Sequence, residues 1–188
     1  MFYNPNLFDF TNTLVKHWKI IRDEYLALPQ DIFDPWVQRD MYKGDWSVFG
    51  LFALGKRISA GCDRCPQTAK ILEGIPNLTL AGFSCLAPHT HIEAHTGWAK
   101  NEFRLHLGLV VPPNCKLRVG EEVKHWQAGH CLIFEDTTEH EAWNDSDLVR
   151  TVLLLDFSKP SLEIFFEEIS PDALNYANQL FERSRTYA

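Results

Sequence analysis

A mainly β fold, a barrel or sandwich flanked by helices toward both ends of the chain, is what this sequence predicts, on three observations. Short β-rich runs alternate with turn residues between Leu78 and Phe157. Before them, apolar residues recur at helical spacing, and after Pro160 that spacing returns.

The first helix rests on Leu14, Trp18, Ile21, Tyr25 and Leu28, which form one stripe and stop at Pro29. Residues 12–28 are therefore expected to be an amphipathic helix covering one side of a sheet. A short second helix is expected over 67–73, with Pro66 suited to its first turn and Gly74 to its exit. Strands are expected over 78–86, 103–111, 116–119, 131–134 and 149–157. Leu162, Phe165, Phe166, Ile169, Leu174, Ala177 and Phe181 carry the C-terminal helical pattern, about 161–183, interrupted by Pro171. No repeat, low-complexity tract or linker divides the chain. Its 188 residues, 45% hydrophobic and 13% aromatic, suffice for one domain over 1–188 with one site.

A net charge of −7 and the lack of any Lys or Arg run exclude a nucleic-acid partner. The longest apolar stretches, 105–112 and 148–157, fall far short of the roughly 20 residues that span a bilayer. The N-terminus has neither the basic start nor the apolar middle of a signal peptide, so an intracellular, cytoplasmic protein is expected. Five cysteines, of which only Cys62 and Cys65 stand close, do not form a disulfide framework and are expected to be mostly buried thiols.

Strand parity sets Arg104, His106 and Gly108 on one face and Phe103, Leu105, Leu107, Leu109 and Val111 on the other. A guanidinium on a dry face needs a counter-charge, so open solvent or an anionic ligand is expected beside Arg104. Arg150 shares a face with Val152 and Leu154 in an apolar strand and should meet a carboxylate. That carboxylate belongs either to a bound diacid such as 2-oxoglutarate or to Asp145 or Asp147.

Seven of eight histidines lie between His89 and His140. His95 and the distant His140 have the placement of the two histidines of double-stranded β-helix oxygenases, where a carboxylate two residues after the first completes the iron triad. Gly97 stands at that carboxylate position, which by itself points to a metal-free or inactive barrel.

The segments Trp18-Lys19-Ile20-Ile21-Arg22-Asp23-Glu24, Gly44-Asp45-Trp46, Pro66-Gln67-Thr68, His95-Thr96-Gly97, Arg104-Leu105-His106-Leu107-Gly108-Leu109, Glu139-His140-Glu141 and Arg150 occur in one order. In these segments the chain resembles the aspartyl/asparaginyl β-hydroxylases, over about residues 17–160. The resemblance implies a double-stranded β-helix core of jelly-roll or cupin-like kind, with Fe(II), 2-oxoglutarate as co-substrate and O2. It implies that glycine at 97 is a family trait, and that His95 and His140 alone hold the iron. Arg150 and Ser84 would hold the far carboxylate of 2-oxoglutarate, Arg104 and His106 its metal-proximal end, and Trp46 would line the pocket.

His89, His91, His125 and His130 match no ligand position. His91 and His125 are expected on strands or the surface, and His17 facing solvent. Where relatives carry a second cysteine seven residues after the first, this chain has Ala69, so Cys62 has no partner there. A bare catalytic domain, without the N-terminal domains and anchor of larger relatives, is expected.

The implied reaction is hydroxylation of an unactivated carbon, foremost the β-carbon of an Asp or Asn side chain in a peptide, free amino acid or other small molecule. Three alternatives stand beside it: halogenation, since glycine at 97 leaves room for a halide; hydroxylation of an acyl chain; and a non-catalytic barrel that binds a small acid.

Overall fold

Helix α1 forms over Phe10–Leu26 in the computed structural model, which describes residues 1–97, 100–159, 175 and 178–179. It starts and ends two residues earlier than the apolar stripe suggests. Leu28 is buried beyond its end, where the chain turns at Pro29. Leu14, Ile21 and Tyr25 are the buried apolar side chains of its inner stripe. Helix α2, Ser59–Arg64, was not legible in the sequence, because six residues with only Gly61 and Cys62 buried give no periodic signal. Helix α3, Pro66–Leu72, starts on Pro66 as the sequence indicates. The Glu24 carboxylate of α1 accepts bonds from the backbone N–H of Gln67 and Thr68 at 2.9 and 2.7 Å. It thereby caps the N-terminus of α3 and ties the two helices together.

Twelve strands among the described residues form two antiparallel sheets. The first sheet follows the order β1 (Asp34–Pro35), β3 (Trp46–Ala53), β5 (Leu78–Leu86), β12 (Arg150–Ser158), β7 (Glu102–Val110) and β10 (Cys131–Glu135), with β4 (Lys56–Arg57) paired to β3. The second follows β2 (Tyr42–Lys43), β6 (Thr90–His95), β11 (His140–Asn144), β8 (Cys115–Val119) and β9 (Glu122–His125). The five expected strands are all present, with ends shifted by at most one residue. The other seven strands, β3, β6, β9 and β11 with the two-residue β1, β2 and β4, are not among those expected. In β11 the inward positions are His140, Ala142 and Asn144, so polar residues occupy buried places and hide the alternation.

Apolar side chains fill two layers. One lies between the helices and the outer face of the first sheet, where Leu14, Ile21 and Tyr25 meet Phe83, Leu105, Leu107, Leu153 and Leu155. The other lies between the two sheets, around Trp46, Val48, Leu86, Ile92, Leu117, Trp126, Phe134 and Val152. The arrangement is a sandwich of two sheets with a helical layer, and no closed barrel forms among the described residues. Of the expected C-terminal helical extension, only Asn175, Asn178 and Gln179 are described, each helical; the rest lies outside the described residues. Among the described residues no helix is long and apolar enough to cross a membrane.

Candidate active site

Strands β6 and β11 are neighbours, and His95 pairs with His140 in register just before the ladder shifts. Their rings lie 4.1 Å apart between centroids, inclined by 57°. His95 Nδ1 is 2.8 Å from the Glu93 carbonyl, and His140 Nδ1 is 2.8 Å from that of Thr138. A carbonyl only accepts, so each ring carries its proton on Nδ1 and keeps the Nε2 lone pair. Burial, then the neighbouring His95 ring and Arg104, bring His140 down to about 3, and burial also lowers His95. Two neutral imidazoles with free Nε2 positions are a donor set for a divalent transition metal, and carbonyl-anchored Nδ1–H groups are the usual support for such ligands.

The place of the third ligand is filled in another way. A Cβ at Gly97 would lie 1.7 Å from Oδ2 of Asp136, and the Gly97 N–H donates to the Asp136 carbonyl at 2.7 Å. Asp136, 1% exposed, has Oδ1 3.9 Å from His140 Nε2 and 2.5 Å from Arg104 Nη1. Arg104 also makes a fork to Asp156, Nε to Oδ1 at 2.8 Å and Nη2 to Oδ2 at 2.7 Å. Neither solvent nor an outside anion is what balances Arg104, contrary to expectation. Asp156 sits opposite it in the β12–β7 register, and Asp136 reaches it from the turn after β10. Burial alone would lower the Arg104 guanidinium, but these carboxylates hold it above its ordinary value. No group of three or more His, Cys, Asp or Glu able to hold a metal ion is found among the described residues.

Arg150 has a different environment. It is 2% exposed, and its Nη1 donates to the Ser84 carbonyl at 3.3 Å. Among the described residues no carboxylate pairs with it and its Nε has no partner. Asp145 and Asp147 are engaged elsewhere, Asp145 with Lys116 and Asp147 with His89. Burial pulls the guanidinium down to about 10, which still leaves it charged near neutrality. Ser84, on β5, accepts from Trp46 Nε1 at 3.0 Å, which leaves its O–H to donate elsewhere. His106 is 7% exposed, and its Nε2 has no partner among the described residues.

The segment 15–160 matches the family model described as aspartyl/asparaginyl β-hydroxylase. The chain belongs to this family. Human aspartyl/asparaginyl β-hydroxylase is 37% identical over 163 residues, 82% of this chain and 22% of that protein. The ornithine lipid ester-linked acyl 2-hydroxylase of Rhizobium tropici is 48% identical over 118 residues, 61% of this chain and 42% of that protein. The chain thus spans about a fifth to two fifths of the length of these curated relatives. Among solved structures, an oxidoreductase of the 2OG-Fe(II) oxygenase family from Burkholderia pseudomallei is similar in fold, with a TM-score of 0.55 at 14% identity. The similarity covers 73% of this chain and 76% of that one.

In this member of the aspartyl/asparaginyl β-hydroxylase family, His95 and His140 stand on the second sheet. Trp46, Ser84, Arg104, His106 and Arg150 come from four strands of the first. The other histidines lie elsewhere. His91 bonds Glu141 and stacks on Trp143, His89 bonds Asp147, His125 and His130 are exposed, and His17 is half-buried on α1. All five cysteines are buried free thiols. Sequence reasoning missed Asp136, Asp156 and Trp126. Glycine at 108 inside a strand was the available signal for Trp126, since such a glycine marks a close backbone approach.

Proposed function

We propose that this chain is an Fe(II)- and 2-oxoglutarate-dependent dioxygenase, one catalytic domain over 1–188 on a double-stranded β-helix core. The observation that carries this reading is the buried Arg150, paired with no carboxylate among the described residues, between the same two sheets as a pair of neutral imidazoles. A buried cation without a counter-ion is expensive, and a bound carboxylate would offset that expense. When bound, iron with 2-oxoglutarate and O2 supplies the chemistry that hydroxylates an unactivated carbon, with succinate and CO2 as co-products.

The protein's part is to bind, orient and neutralise. Nε2 of His95 and of His140 would hold the iron, leaving positions for co-substrate and O2. Arg150 and the Ser84 hydroxyl would take the far carboxylate, with Trp46 lining the pocket behind Ser84. The His106 Nε2 and those N–H groups of Arg104 not spent on Asp136 and Asp156 would serve the metal-proximal end. Asp136, already in the space that glycine at 97 leaves, supports hydroxylation over halogenation, because its carboxylate would repel a halide there.

The family favours the β-carbon of an Asp or Asn side chain, in a peptide, amino acid or other small molecule, as the substrate. A second reading, an acyl chain, has its own support. The Rhizobium relative is named for acyl hydroxylation, and an apolar recess lined by Trp36, Val48, Leu80, Gly82 and Leu154 adjoins Ser84. Five free thiols accord with a reducing, cytoplasmic setting.

Anaerobic titration with Fe(II) and then 2-oxoglutarate tests the proposal. A metal-to-ligand charge-transfer band should appear in the wild type and vanish in His95→Ala. A wild-type protein that binds Fe(II) and 2-oxoglutarate without such a band, or binds neither, would overturn it.

A further inference from the structure

Trp126 follows β9 in a loop that crosses the inner face of the first sheet. Gly108 permits the crossing: a Cβ there would lie 2.3 Å from the Gln127 carbonyl, and Gly108 bridges to Ala128 in parallel. The backbone of the loop therefore lies directly on β7, and Trp126, 3% exposed, is brought beside His106. Its Nε1–H donates to His106 Nδ1 at 3.3 Å. Indole nitrogen only donates, so Nδ1 is the acceptor and the imidazole proton sits on Nε2. That Nε2 has no partner among the described residues. The same indole lies 4.4 Å from the Arg150 guanidinium carbon, in a cation–π contact that holds the plane of the fork.

The tautomer of His106 is thus opposite to that of His95 and His140, whose protons are on Nδ1. A metal ligand must keep Nε2 as a lone pair, whereas a group that binds an anion must present a hydrogen there. We propose that Trp126 is the positioning residue of the anion pocket, fixing His106 as an Nε2–H donor and supporting Arg150 from beneath. This rests on the reading of that pocket as the 2-oxoglutarate site.

Two variants separate positioning from bulk. Trp126→Phe keeps a ring beneath Arg150 and removes only the N–H, while Trp126→Leu removes both. The histidine ring nitrogens of metal-free protein are followed by 15N NMR, and 2-oxoglutarate binding to the Fe(II)-loaded protein is followed by anaerobic calorimetry. In the wild type His106 should be the Nε2–H tautomer. In Trp126→Phe it should become a mixture, with 2-oxoglutarate affinity down about tenfold, the loss of one hydrogen bond to a binding group. Fe(II) affinity should stay within about twofold, because the ring contacts of the indole among the described residues are to His106 and Arg150 and not to His95 or His140. Trp126→Leu should weaken 2-oxoglutarate further; if that variant does not fold, Trp126→Phe alone decides. A Trp126→Phe protein that keeps the Nε2–H tautomer and wild-type 2-oxoglutarate affinity overturns the assignment. A wild type that binds no 2-oxoglutarate, while the tautomer still shifts in Trp126→Phe, overturns the reading of the pocket and upholds the control of His106 by Trp126.

Discussion

The carboxylate of Asp136 fills the space into which a side chain at Gly97 would grow, with Oδ2 only 1.7 Å from the site of that Cβ. Glycine at 97 therefore leaves no empty space beside His95 and His140. A second acid, from the turn that leads into β11, holds the place from the other side and is itself anchored by Arg104.

Gly97→Ala should accordingly destabilise the protein by about 1–3 kcal/mol, as overpacking does where a neighbour is pinned. Gly97→Asp should not improve iron binding, since two carboxylates would compete for one space. Urea denaturation of the first variant and metal titration of the second give the readouts; tighter iron in Gly97→Asp would contradict the steric argument.

His95→Ala and His140→Ala should each abolish stabilisation by metal. Saturating Fe(II), held anaerobic, should raise the melting temperature of the wild type and leave both variants unmoved. A metal-dependent shift that survives in either variant would mean that iron binds elsewhere.

Arg150→Met should part stability from function. Replacing an unbalanced buried cation with an apolar side chain of similar length should leave the ligand-free protein as stable, or up to about 4 kcal/mol more stable. Its affinity for 2-oxoglutarate should fall by about 2–5 kcal/mol, while Fe(II) binding persists. Arg104→Leu is the contrast. It strands Asp136 and Asp156 without their cation and should cost about 3–5 kcal/mol of stability. Chemical denaturation of the pair is decisive, because equal destabilisation would mean that Arg150 also has a protein counter-ion.

Acid should destabilise the metal-free protein in a window set by the histidines. The ordinary histidine value is 6.5, while burial, His95 and Arg104 bring folded His140 to about 3. Burial, then Arg150 and Arg104, hold His106 well below 6.5 as well. Between 6.5 and 3 the unfolded chain therefore takes up a proton at His140 that the folded chain refuses, so stability falls as pH falls. Each such histidine contributes about 1.4 kcal/mol per pH unit in its window. Denaturation midpoints at pH 7, 6 and 5 check the slope, and His140→Gln should flatten it.

The helix stripe from Leu14 to Tyr25, the five strongest strands and the parity of Arg104, His106 and Arg150 were legible because each depends only on the spacing of side chains along one segment. Strands β6 and β11 escaped because His95 and His140 stand at inward positions beside a register shift, and polar groups in buried places break the alternation. The resemblance named His95, His140 and Arg150, but their separation in the chain says nothing of the distance between them.

What the sequence by itself determined is the first helix, the five strands with a clear pattern, the face on which Arg104, His106 and Arg150 stand, and the family to which the chain belongs. The tertiary structure alone decided the charge pairings. Arg104 and Arg150 look alike in sequence, each in an apolar strand with its side chain on the inner face. Asp156 across the ladder and Asp136 from a turn balance the first, while Asp145 and Asp147 are drawn to Lys116 and His89 and leave the second without a carboxylate among the described residues. Coulomb attraction depends on distance through space, and that distance is set only when the strands find their neighbours.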